Sequence, residues 1–553
     1  MAVAVADPVA ELAGEVLAAA AAVRGDAPEP PTPPVLDRPK RAGQGDYATN
    51  AALLLAPVLG SPPREIAAVI GERLATVLGD ALTRVEVAGP GFINLTMSDG
   101  WHRTGVRFVV SAGSRFGAGG ASVPERILLE FVSANPTAEL VAASGRHAAY
   151  GDSLARILEH HGHTVWREYY FNDAGSQIQR LGESVRARAL GRPVPEDGYQ
   201  GEYVAELAAA IPDAADERVD VAVVAAQAVK ILLERIKATL ERYGVRFDRF
   251  FSERELHEGS PSELERAVAA LDAAGHVYSE EGAVWLRTTD FGDEKDRVLI
   301  RSGGEPTYLT ADAAYMQNKW ARGWERQLLP VGADHHGYIA RLKAAFAGLG
   351  HDPELLEVLI LQFVHLVAGS ERAAMSKRRG EFVTLDELLD EIGVDATRFF
   401  MLQSSHDRTI DLNLDLARSQ SNENPVYYVQ YAYARLASIL ARAGAERVAA
   451  AVAAGSDWGS SEIELEPAER ELAQKLCGLP GEIAEAADRR APHRIAAYAV
   501  ELAQEFTAFY RDCKVLGAQP EAVELFRLGL CMATKESLAL VLGLLGVSAP
   551  ESM

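Results

Sequence analysis

The chain has 553 residues, 48% of them hydrophobic and 24% charged, a globular composition too long for one compact core that predicts roughly three or four domains. Its formal charge of -23 favours solubility and argues against unspecific adhesion to nucleic acid, while leaving room for a local basic face toward one RNA. Cys477, Cys513 and Cys531 stand far apart with no C-x-x-C pair, which argues against a zinc site and a disulfide framework and suits a reducing, cytoplasmic setting.

The apolar run Val16 to Val23 follows acidic residues rather than a basic region and is far too short to cross a bilayer, so neither a signal peptide nor a membrane segment is expected. Within residues 1–110, helical patterns at Asn50 to Leu59 and Pro63 to Leu78 precede the alternating segments Val85 to Val87 and Phe92 to Leu95, which read as strands of a small α+β domain. The Gly/Ser-rich stretch Ser111 to Ser122 has no apolar periodicity, no feeding strand and no closing lysine, so it reads as a linker rather than a phosphate loop.

Ile127 to Val132 is an apolar strand running into Ser133-Ala134-Asn135-Pro136-Thr137 and then a helical pattern with Leu154, Ile157 and Leu158, the opening unit of a nucleotide-binding α/β fold. Val165 to Tyr170 predicts the next strand and Gln177 to Val185 a helix. Ala/Glu-rich helices break this rhythm from about 191 to 290, an expected insertion, before the strand Gln327 to Val331 and the helix Tyr338 to Leu349 resume it. A Rossmann-like parallel-sheet domain is thus expected over residues 122–420, and an all-helical bundle over 424–553, where apolar residues recur at three- and four-residue spacings through Leu545.

Several blocks, in one order, resemble the arginyl-tRNA synthetases of the bacterial type. They are Gly45-Asp46-Tyr47-Ala48-Thr49-Asn50 and Val87-Ala88-Gly89-Pro90-Gly91-Phe92-Ile93-Asn94, then Ser133 to Thr137, Arg167 to Gly175, Gly332-Ala333-Asp334-His335-His336-Gly337-Tyr338, Met375-Ser376-Lys377-Arg378, Asn424 to Ala432 and the closing Ala549 to Met553. The resemblance implies a class I synthetase with an inserted subdomain, an N-terminal tRNA-contacting domain and a C-terminal anticodon-binding bundle. Its expected partners are L-arginine, ATP accompanied by Mg²⁺, and tRNA(Arg), with no tightly bound cofactor and a monomeric chain.

An arginine site needs carboxylates for the five-donor guanidinium fork and a separate group for the α-amine. By motif position the resemblance assigns Asp312 to the guanidinium, Tyr308 beside it, Glu130 as a second acid, and Asn135 and His336 to the α-carboxylate and α-amine end. It assigns ATP to Ala142, Ala143, Gly332, Asp334, Met375 and Lys377, with Ser144, Ser376 and Lys377 in catalytic roles. The adjacent pair His335-His336 points in two directions without a completing ligand, so no metal site is expected.

The family's first ATP motif carries two histidines around a small residue and a glycine, at the start of the first helix. Here Val141 and Ser144 stand in the histidine positions and Ala143 in the glycine position, with Glu139 and Arg146 close by. The reading is an ATP-dependent arginine–tRNA ligase; the altered motif supports a second reading, a synthetase-like paralogue that binds arginine or tRNA with weak or no adenylation. In the C-terminal bundle Tyr427, Tyr431 and Arg435 share one helical face, with Gln430 nearby, as candidates for stacking and hydrogen-bonding unpaired bases, while Tyr428 lies about 100° away.

Overall fold

The computed structural model describes residues 7–39, 43–368, 371–372, 383–459 and 462–553. It opens with a helix, Pro8–Arg24, over the segment that sequence patterning treats only as an apolar run. Asp7 caps it by accepting from the N–H groups of Val9 and Ala10, and Pro8 costs no hydrogen bond at the first position. Leu12, Val16, Ala19 and Ala20 are buried against the helices Ala51–Leu59 and Pro63–Leu78 and an antiparallel sheet in the order Leu36–Asp37, Tyr47–Thr49, Phe92–Met97, Leu82–Ala88. The first five residues of the expected linker, 111–115, belong to the end of a helix, Asp99–Ala112, and a tight turn, Gly113–Arg115, and residues 116–122 carry no helix or strand. Gly117, at φ +77°, lies where an added Cβ would be 3.1 Å from Pro480, so this stretch packs onto the C-terminal helices.

The central sheet has five parallel strands: β1 (Arg126–Glu130), β2 (Thr164–Phe171), β3 (Arg249–Ser252), β4 (Arg326–Gly332) and β5 (Leu356–Leu361), in the order β5-β4-β1-β2-β3. Ile127, Leu128 and Leu129 are all fully buried, as a strand covered on both faces requires. β1 stops at Glu130, short of the expected Val132, because Val132 and Ser133 take positive φ values of 66° and 44° and turn the chain out of the sheet. The return helix α1 (Ser144–His161) packs closely on this turn; Gly151 has no room for a Cβ beside the Phe131 ring.

The segment 191–290 is not one insertion. Three helices, Ser176–Ala189, Glu202–Ala210 and α2 (Val221–Arg242), enclose a small core of their own, and then β3 rejoins the main sheet alongside Glu168 to Phe171. A second excursion follows as the antiparallel strands Val277–Glu280, Ala283–Leu286 and Arg297–Ile300, which lead into α3 (Tyr308–Ala321).

The C-terminal region is helical from α4 (Pro425–Ala443) through α5 (Glu521–Leu545). α5 is long and apolar enough to cross a membrane, but 67% of its most apolar window is buried and it forms the spine of the bundle. Arg398 locks this bundle to the sheet domain: fully buried, it donates to the Leu545 carbonyl at 2.8 Å, the Tyr243 carbonyl at 3.0 Å and Asp152 of α1 at 2.6 Å.

Candidate active site

β1 and β4 are neighbours although the chain runs from β1 to β2 in the opposite direction, so a crevice opens at their carboxyl ends, the usual ligand position in such sheets. A cleft of about 480 Å³ fills it, with Glu130 and Asn135 from the β1 turn, His147 from α1, Asp312 from α3, and Gly332 and His335 from the end of β4 among its walls. A second cavity of about 300 Å³ adjoins it and shares Asn135 and Tyr308.

α3 supplies one wall through helical spacing. Tyr308, Asp312, Tyr315 and Lys319 stand four, three and four residues apart and all face the cleft. Lys319 donates to Glu130 at 2.5 Å, and Ser133 donates to the other Glu130 oxygen at 3.2 Å. Glu130 is thus ion-paired within the protein. Burial alone would raise the Glu168 carboxyl, but paired hydrogen bonds from Arg322 at 2.7 Å, with Tyr315 and the Lys319 charge, hold it below its usual value.

Asp312 differs. Its one hydrogen bond among the described residues comes from the Tyr338 hydroxyl at 2.5 Å, and no lysine or arginine among them pairs with it. Burial pushes its pKa up to about 7, helped by the charges of Glu130 and Glu253 and opposed by Tyr338 and Lys319. Glu253, which accepts from Tyr170 at 2.7 Å, is also raised by burial. Three carboxyl groups therefore converge on one cleft that contains one lysine, an arrangement that attracts an elongated cation.

Of the residues assigned from sequence, Glu130, Asn135, Tyr308, Asp312 and Gly332 meet in this cleft. Asn135 bridges two elements, donating to Gln177 at 3.1 Å and accepting from the Asn172 N–H at 3.2 Å, while Tyr308 stands at the mouth, 72% exposed. His336 and Asp334 are exposed and lie outside the lining; His335 takes the wall position. Met375, Ser376 and Lys377 fall outside the described residues.

At the altered motif, Ala142 is buried and Ala143 and Ser144 are half-buried at the start of α1. The N–H groups of Ser144, Gly145 and Arg146 donate to the carbonyls of Val141, Ala142 and Ala143 at 2.8, 3.0 and 3.1 Å, so this helix start satisfies its own donors. The segment is stitched to the chain beyond the Met375 region by Ala142 N–H to Val383 at 2.9 Å and Leu385 N–H to Leu140 at 2.7 Å. Arg146 is buried and donates to the carbonyls of Gln362 at 2.6 Å and Ser405 at 2.9 Å, away from the cleft mouth. Glu139 pairs with Arg235 at 3.0 Å.

His147, Glu253, Lys319 and Tyr338 are cleft residues that sequence reasoning did not assign. Lys319 follows Asp312 by two helical turns, a spacing that could have found it. Tyr338 lay in a quoted motif without a role, and Glu253 had no local signal.

On the C-terminal bundle Tyr427 and Tyr431 stack at 6.1 Å, and the Arg435 guanidinium lies 4.8 Å from both the Tyr431 and Tyr510 rings, bordering a hollow of about 500 Å³. Gln430 does not join them. It is buried, with its amide donating to Asp395 at 2.8 Å and to the Ser548 carbonyl at 2.9 Å, which makes it a tether for the C-terminal segment.

Comparison with known proteins is consistent from end to end. Residues 10–97 match the arginyl tRNA synthetase N terminal domain, 203–415 the class I (R) tRNA synthetase catalytic domain, and 429–553 the DALR anticodon binding domain. An arginine–tRNA ligase of Frankia alni is 48% identical over 95% of both chains, and one of Kineococcus radiotolerans 44% identical over 94% of both. The arginyl-tRNA synthetase of Thermus thermophilus shares the fold with a TM-score of 0.76, covering 98% of this chain and all of its own at 24% identity. Nothing in these matches supports the paralogue reading. With relatives at such identity spanning nearly its full length, the chain belongs to the arginyl-tRNA synthetases.

Proposed function

We propose that this cleft activates L-arginine with ATP and delivers it to the 3′ end of tRNA(Arg), with Asp312 receiving the guanidinium. The observation that carries the assignment is that Asp312, the one carboxyl group on α3, lines the cleft half-buried with a hydroxyl rather than a cation as its partner among the described residues. A guanidinium supplies the missing charge in a planar fork. Glu130 holds Lys319 in place, Tyr308 covers the side chain, and Asn135 faces the α-carboxylate and α-amine.

The α-carboxylate of arginine attacks the α-phosphorus of ATP, the bond to the β-phosphate breaks and pyrophosphate leaves. A ribose hydroxyl of the terminal tRNA adenosine then attacks the adenylate carbonyl and AMP departs. Lys377 neutralises the charge that develops on the phosphates, Ser144 offers a hydroxyl at the first position of α1, and Mg²⁺ brought in as part of the ATP substrate would add shielding of the phosphates. The stacked Tyr427 and Tyr431 with Arg435 contact the anticodon side of the tRNA. The chain works as a monomer in a reducing cytoplasm, consistent with three free, buried cysteines.

Arginine-dependent exchange between ATP and pyrophosphate, run with and without tRNA, tests this reading. Exchange and arginine-charged tRNA are expected; absence of both under every condition refutes it.

A further inference from the structure

His147 lies in the cleft wall one helical turn beyond Ser144 and four residues after Ala143, the N-cap of α1. Its surroundings differ from those of Asp312. The charged groups acting on His147 are Arg146, Asp334 and His335, whereas those acting on Asp312 are Glu130, Lys319 and Glu253. The two residues thus face different charged groups in one cleft: Asp312 the acidic side suited to a guanidinium, His147 the side where α1 meets the close of β4.

We infer that His147 is a nucleotide-contacting residue of this chain, whose ring accepts a hydrogen bond from an N–H or O–H donor of ATP, either a ribose hydroxyl or the adenine amino group. The inference rests on the ligase reading for the identity of the ligand. One ring nitrogen faces the Pro330 carbonyl, which can only accept, so that nitrogen carries the proton and the other presents a lone pair. Burial, reinforced by Arg146, pushes the ring pKa down to about 4, and the imidazole is neutral at physiological pH. A neutral ring with a free lone pair repels phosphate oxygens and attracts sugar hydroxyls or an exocyclic amine, so it does not take over the phosphate-binding task of a motif histidine. It compensates in another way. Where the first three N–H groups of α1 are internally bonded and Val141 has no donor, affinity for the nucleotide moves from its phosphates toward its nucleoside.

The test measures equilibrium binding of a non-hydrolysable ATP analogue and of arginine separately, so that it needs no turnover. His147→Ala and the ring-sized His147→Phe should each weaken the ATP analogue by about tenfold while arginine affinity changes less than about twofold; His147→Asn, which keeps an acceptor, should retain most of the binding. Nucleotides lacking the 2′-hydroxyl, the 3′-hydroxyl or the adenine amino group separate the possible donors. The one that His147 contacts should bind the wild type weakly and show no further loss in His147→Ala. Unchanged ATP affinity in a folded Phe or Ala variant overturns the inference, as does an equal loss for arginine, which would place His147 at the α-amine. If the wild type binds ATP yet catalyses no exchange, the ligase reading falls and the His147 contact stands.

Discussion

Arginine binding should be coupled to proton release at Asp312, and the coupling can be read from the structure. In the free protein, burial and the charges of Glu130 and Glu253 outweigh the Tyr338 hydroxyl and Lys319, and the Asp312 pKa reaches about 7. The folded protein therefore holds a proton that the unfolded chain has released above about pH 4, so this group's contribution to stability declines as pH rises from about 4 to about 7. A guanidinium requires the ionised carboxylate and reverses the preference. Only about one molecule in eleven has Asp312 ionised at pH 6, about half at pH 7 and about nine in ten at pH 8, so arginine affinity should rise roughly tenfold between pH 6 and pH 8. Calorimetric titration of arginine at pH 7, in two buffers of different ionisation enthalpy, should show release of about half a proton per arginine bound. Asp312→Asn should bind arginine roughly a hundredfold more weakly and without pH dependence over this range. Affinity that stays level from pH 6 to pH 8 in the wild type, with no buffer dependence of the heat, refutes the placement of the guanidinium on Asp312.

Arg398→Met removes the buried cation that joins Asp152 of α1 to the end of α5, and a urea melt should show a loss of about 3 kcal/mol, tempered by the second cation, Arg156, 2.8 Å from Asp152. Tyr431→Ala should raise KM for tRNA about tenfold in the charging assay while leaving the arginine and ATP constants unchanged. Gln430→Ala should instead lower the melting temperature, because its amide holds Asp395 and the Ser548 carbonyl. On the proposed reading that Lys377 neutralises charge as pyrophosphate leaves, Lys377→Ala should reduce kcat for pyrophosphate exchange by about two orders of magnitude with arginine affinity intact.

The parts of the fold that were legible in the sequence are those whose burial is two-sided or whose residues sit together in one motif. Ile127 to Leu129 and Gln327 to Val331 read as strands because helices cover both faces of the sheet and leave no polar alternation. The helix Pro8–Arg24 was hidden because its alanines give a weakly amphipathic run that resembles an apolar leader as much as a surface helix. Asn135 lies in the Ser133 to Thr137 block, Glu130 three residues before it, and Tyr308 and Asp312 four residues apart, so local sequence could nominate each of them, and the fold brings all four to one cleft.

The omission of Glu253 has a traceable cause. β3 is only four residues, Arg249-Phe250-Phe251-Ser252, too short to announce a strand, and it exists because Glu168 to Phe171 offer it a parallel partner. Reading that segment as part of an insertion removed it from the sheet, and with it the residue that follows. In the structure the Glu253 N–H donates to the Phe171 carbonyl at 3.0 Å, continuing the β2–β3 pairing by one residue and carrying the carboxylate to the Tyr170 hydroxyl and into the cleft. A missed strand therefore concealed a missed acid: local pattern could locate a residue within its own motif, but only the long-range pairing of β2 with β3 determines that a carboxylate some 120 residues beyond Glu130 shares its cleft.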